Sequence, residues 1–203
     1  MPSFTHNALQ RQGSERRVRS HAWLDAASIA AAAAVLAADV LARFGPAAGV
    51  SKLLAASALA LRMSGWQPLS TRRDPLLWSL HAGFACAPLG LALPAATELG
   101  APIAPAAGLH TLGIGCFGTL ILSVMSRVSL GHTGRPLHAP TGLPFASCAL
   151  LAASALRVTG ALQPQLAAPM LLVSALLFSA AFATYLVVYV PMLVSARVDG
   201  KPG

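Results

Sequence analysis

Six histidines and three cysteines are the residues of this 203-residue chain whose types could bind a metal or move a proton. His6 and His21 lie in a basic amino-terminal arm and are most simply exposed or interfacial. His81 and His110 lie inside long apolar runs, where an ionisable group is costly and needs an interior partner. A neutral imidazole there either hydrogen-bonds a neighbouring helix or donates its lone pair to haem iron or another metal. His132 and His138 belong to "SRVSLGHTGRPLHAP", residues 126–140, which also holds Arg127, Arg135 and four helix-breaking Gly and Pro residues. Two arginines eight residues apart could bind carboxylates in bidentate fashion, or simply fix topology. Cys86, Cys116 and Cys148 form no CxxC pair and sit singly in apolar blocks, so each is first of all a small hydrophobe. No carboxylate lies near the 126–140 loop to shuttle protons, so the sequence leaves open whether the protein is an enzyme.

The elements that must position these residues are membrane spans. The chain is 56% hydrophobic and only 10% charged, where an ordinary soluble domain carries about a quarter charged residues. Six apolar runs approach the roughly 20 residues that a span requires: about 23–43, 47–65, 75–95, 103–127, 142–161 and 166–194. The second is the weakest, because Lys52 and Arg62 bracket a short apolar core. The expected fold is therefore all-α, a polytopic membrane bundle of about six transmembrane helices. A basic cytoplasmic arm over 1–22 precedes the membrane domain over 23–194, and a cytoplasmic tail over 195–203 follows it. The net charge of +8 does not point to nucleic acid, because the basic residues punctuate apolar blocks. Eleven of the fourteen, from Arg11 to Lys201, fall on one side of the bundle, and Arg43, Lys52 and Arg157 on the other. That bias places both termini in the cytoplasm.

Local signals refine the frame. "RRDPLLW" sets Asp74 as a helix N-cap with Pro75 at the first helical position. Asp39 and Arg43, four apart, suggest an ion pair at the outer end of the first span. Gly108, Thr111, Gly115, Gly118 and Leu122 share one face of the fourth span, where Gly115 and Gly118 would allow close helix contact. His110, Gly113, Phe117 and Ile121 lie roughly opposite, so that span should be contacted on two sides. His81 lies about 9 Å inside the cytoplasmic end of its span and His110 about 10 Å inside the far end of the next. His81 thus pairs in depth with His132, and "SLGHTGRP" is expected to be a structured cap that turns His132 and Arg135 toward the third span.

"HTLGIGCFGTLILSVMSRVSLGHTGRPL" resembles the signature of the NnrS family, haem- and copper-containing membrane proteins of the nitric-oxide response. The likeness rests on His110, Gly115, Gly118, Met125 and Arg127, and on Ser129 through Leu137. "RRDPLLWSLHAGFACAPLG" and the closing "DGKPG" are similar to further family segments. The chain resembles the carboxyl-terminal half of a longer family pattern. The resemblance implies haem, and copper as a second metal, with His81, His110 and His132 as ligands and Arg127 and Arg135 as anchors for haem carboxylates. It implies a bacterial inner-membrane location and a role in nitrosative stress. It also implies a homodimer, or a second membrane chain that supplies the missing half. The competing expectation is a small transporter-like or structural half-module that works only when assembled with another chain.

Overall fold

The computed structural model describes residues 1–42 and 45–200, and among them helices are the only regular structure. A short helix α1 (Pro2–Arg11) leads into α2 (Ala22–Ala42), α3 (Pro46–Ser64) and α4 (Pro75–Glu98). The next span runs without a break through α5 (Ala106–His110), a π-helical stretch (Thr111–Gly118) and α6 (Thr119–His132). Helices α7 (Gly142–Leu162) and α8 (Ala167–Leu193) complete the bundle. All six expected spans are helices. Five are long and apolar enough to cross a membrane, and α3 falls outside that group. Ser51, Lys52, Ser57, Arg62 and Ser64 dilute its apolar character, yet it packs along both α2 and α4.

Asp74 caps α4 as its sequence indicates, accepting from the Leu76 backbone N–H at 3.0 Å, with Pro75 filling the first position. The helix then continues through Pro88 and Pro94 to Glu98. Its contact with the following span is a seam of small residues. An added Cβ on Gly90 would approach Leu112 to 2.5 Å, and one on Gly108 would approach Pro94 to 2.6 Å and the Gly90 carbonyl to 2.9 Å. On Gly115 it would meet Ser154 Oγ at 2.8 Å and Cys86 Sγ at 2.9 Å. Gly118 has ordinary clearance, its nearest atom being 3.6 Å away, so only Gly115 of the expected pair is a close contact. Gly113 meets nothing within 4 Å, and Phe117 and Ile121 are more than half exposed. The expected second contact face therefore looks outward, away from α4 and α7. Gly108→Ala should destabilise the protein by about 1–3 kcal/mol, because backbone must give way. Gly113→Ala should stay within about 0.5 kcal/mol of the parent. Thermal unfolding of both variants in detergent checks the contrast, and equal losses would contradict it.

The main core lies between the α6 end of the fourth span, α7 and α8. Leu122, Leu130, Leu143, Leu150 and Ala181 are buried there with Tyr185 and Tyr189. Those tyrosines stack at 4.7 Å between ring centroids, and Tyr185 shares a hydrogen bond with Ser129 at 2.8 Å. The aromatic face of α8 is thus a packing face at this end. At the other end of α4, Lys52 reaches both Asp39 of α2 and Glu98, the latter at 2.6 Å. Arg43, the expected partner of Asp39, lies outside the described residues; Lys52 engages Asp39.

Candidate functional site

The basic arm is more ordered than its sequence suggests. Ten of its residues form α1, which turns Thr5, Ala8 and Leu9 inward at helical spacing. Past the helix, the Arg19 N–H donates to the Gly65 carbonyl at 2.9 Å and Arg16 donates to Ser70 Oγ at 2.8 Å. These bonds strap the arm across the turn between α3 and α4. His6 and His21 remain exposed.

Under the strap lies His81, only 3% exposed. Its Nε2 shares a hydrogen bond with Thr5 Oγ1 at 3.1 Å, and Thr5 is itself fully buried. Nδ1 of the same ring is buried and has no hydrogen-bond partner among the described residues. Trp66 stands beside the imidazole at 6.4 Å between centroids and packs on Phe84 at 4.6 Å. Phe4, next to Thr5 in α1, lies beneath the guanidinium of Arg127 at 4.4 Å. Adjacent residues of α1 therefore touch His81 and Arg127. The cationic surroundings extend further: burial first, then Arg62 and Arg127, push the Met1 ammonium below its ordinary range. Thr5→Val, which keeps shape but deletes the hydroxyl, should cost about 1–3 kcal/mol by leaving both imidazole nitrogens unpaired. Thr5→Ser should be nearly neutral. Unfolding midpoints in detergent decide between the two, and a neutral Thr5→Val would remove the contact from the account.

The other candidate ligands lie elsewhere. Because α4 faces Gly83 to Leu120 and Pro94 to Gly108, the residue level with His110 on α4 is about 92. His81 and His110 are therefore about 16 Å apart along the bundle. His132 stands about 16 Å from His81 in the opposite direction. Among the described residues no three His, Cys, Asp or Glu side chains gather as a metal-ion site. His81 alone, buried with one ring nitrogen unpartnered among the described residues, would be able to hold a haem iron. The three together do not fit a single ion.

The loop after α6 is structured, as expected, but turned the other way. Arg135 N–H bonds to the Leu130 carbonyl at 2.9 Å and Gly134 N–H to Gly131 at 3.2 Å, with Gly134 at φ 71°. This is a helix-terminating Schellman turn, for which the left-handed glycine is suited. Tail residues then cover it. Arg197 donates to the His132 carbonyl at 2.9 Å, Val198 N–H to the Thr133 carbonyl at 3.2 Å, and Asp199 packs over Gly134. His132 is exposed and Arg135 points to the Met192 carbonyl of α8 at 3.4 Å. The expected orientation toward the third span is overturned, because the tail supplies the loop's polar partners. His138 is exposed as well.

Two features had little or no sequence signal. α1 is too short and polar to register as an element, although Thr5, Ala8 and Leu9 carry the right spacing. The eight-residue π-helical stretch beside Cys86 and Ser154 is the second, and such widened turns occur often at functional sites. Its glycine richness was the visible trace. Neither a curated protein nor a solved structure matches the chain. A family model described as "NnrS protein" matches residues 1–197, and the chain therefore belongs to the NnrS family.

Proposed function

We propose that the chain is a haem-binding, multi-pass membrane protein of the nitric-oxide response, located in a bacterial inner membrane with both termini cytoplasmic. Membership of the NnrS family supports the nitric-oxide response at family level, and five long apolar helices support the multi-pass membrane character. The observation that carries the haem reading is the buried His81 ring with its unpartnered nitrogen under α1, the helix whose Phe4 also holds Arg127. His81 would hold the haem iron, and the guanidinium of Arg127 would bind a haem carboxylate. When bound, the haem supplies an iron able to take a small diatomic ligand. The protein's own share is to keep the imidazole neutral, dry and fixed. Trp66, Phe84 and α1 exclude water, and Thr5 fixes the ring plane.

The three imidazoles stand at three levels, so within one chain they would not meet on a single copper ion. A second reading is favoured by one observation: the face with His110, Gly113, Phe117 and Ile121 opens away from α4 and α7. There a second copy, or another membrane chain, would pair with His110 and complete a module. An absorption spectrum with metal analysis on detergent-purified protein tests the first reading. A Soret band with near-stoichiometric iron is expected, and colourless protein without iron would overturn it. Cross-linked dimers through a cysteine placed at Gly113 would support the second.

A further inference from the structure

A cavity of about 440 Å³ opens where α2 begins and α3 ends. Its walls include Trp23, Leu24, Leu61 and Trp66, and Arg19 and Arg62 stand on its lining. His81, Thr5 and Arg127 do not line it; it adjoins the site under α1 through Trp66, which walls both.

Its chemistry is divided. Leu24 and Trp66 are buried, and Trp23 is 63% exposed at the start of a long apolar helix, where indole rings sit at the membrane interface. Arg62 is held by Asp25 through Nε at 2.6 Å and lies over the Trp66 ring at 5.4 Å. Arg19 is exposed and has no ion-pair partner among the described residues. Trp66 is 2% exposed, and its indole N–H is buried with no hydrogen-bond partner among the described residues. That nitrogen is itself enclosed, so among the described residues the cavity's free donor is Arg19.

The mouth is also held in shape. The Arg19 N–H binds the Gly65 carbonyl, and a Cβ on Gly65 would come within 2.5 Å of the Arg19 carbonyl. Gln67, beside it, adopts the left-handed conformation at φ 56°, which costs a non-glycine residue free energy. Backbone strain and a close backbone crossing fix the rim that presents Arg19.

We propose that this cavity binds the phosphate head group of an amphiphile, with the unpaired Arg19 as its donor. The apolar tail would lie along the exposed lower walls of α2 and α3. An anionic phospholipid and a soluble phosphate compound share this head-group chemistry. The lining of indole and leucine favours the lipid, because a free phosphate gains nothing from it.

The test uses the full chain in detergent, with its unfolding midpoint followed against phosphatidylglycerol, phosphatidylcholine and inorganic phosphate. Saturable stabilisation by phosphatidylglycerol at lower concentration than phosphatidylcholine is expected. Arg19→Gln should weaken it by clearly more than the about fivefold that one basic residue near an anionic surface is worth. Arg73→Gln, outside the cavity on the same end, should cost no more than that general factor. Stabilisation by inorganic phosphate alone, lost in Arg19→Gln, would support the site and assign it to a soluble compound. Equal effects of both lipids, or equal losses in Arg19→Gln and Arg73→Gln, would reduce it to general surface charge and overturn the proposal. None of these outcomes depends on haem, so the haem reading stands or falls separately.

Discussion

Lys52→Met is expected to destabilise the folded protein by about 3–5 kcal/mol, the usual consequence of removing one partner from a buried ion pair. Lys52 is 5% exposed and joins Asp39 of α2 to Glu98 of α4, so it ties three helices together. The Glu98 side chain is 7% exposed, and its Oε2 has no hydrogen-bond partner among the described residues. Without the ammonium that carboxylate is left buried with its main compensating charge gone. In an apolar bundle the penalty falls almost wholly on the folded state. Glu98→Gln added to Lys52→Met should recover a large part of the loss, because it removes the stranded charge. Unfolding of the single and double variants in detergent gives the coupling directly. A loss below about 1 kcal/mol in the single variant would place the trio among solvated surface pairs.

The same trio shows where the sequence was legible. Helix bounds follow apolar blocks closely: the run at 75–95 became Pro75–Glu98 and that at 142–161 became Gly142–Leu162. Asp74 and Pro75 mark their helix start by local chemistry alone, so no tertiary information is needed. Lys52 weakens the second run for the reason visible in its composition. Its partners are not visible, because Glu98 lies 46 residues away and only packing brings it near.

Orientation of side chains was the harder part. His132 sits in a loop whose turn-forming glycines are evident, yet its direction is set by Arg197, Val198 and Asp199 more than sixty residues later. His81 was legible as a buried imidazole, whereas its partner Thr5 was not, since it lies 76 residues upstream in a short polar helix. Arg127 likewise reads as a topology charge until Phe4 is found against it. Periodicity reports which face of a helix is apolar. It carries no record of which helix, strap or tail will cover that face.

The second large effect concerns haem itself. His81→Ala should abolish haem retention, cutting haem per protein by about tenfold or more, because it deletes an iron ligand where the metal bond supplies much of the binding. Arg127→Gln should reduce retention less, since one carboxylate contact is worth only part of the total. His132→Ala should leave it unchanged, as that ring is exposed and stands at another level. The most direct measurement is the Soret absorbance per protein of the detergent-purified parent, His81→Ala and His132→Ala chains. A strong band is expected in the parent and in His132→Ala, and near-complete loss in His81→Ala. A full band in His81→Ala, or loss in His132→Ala alone, would contradict it.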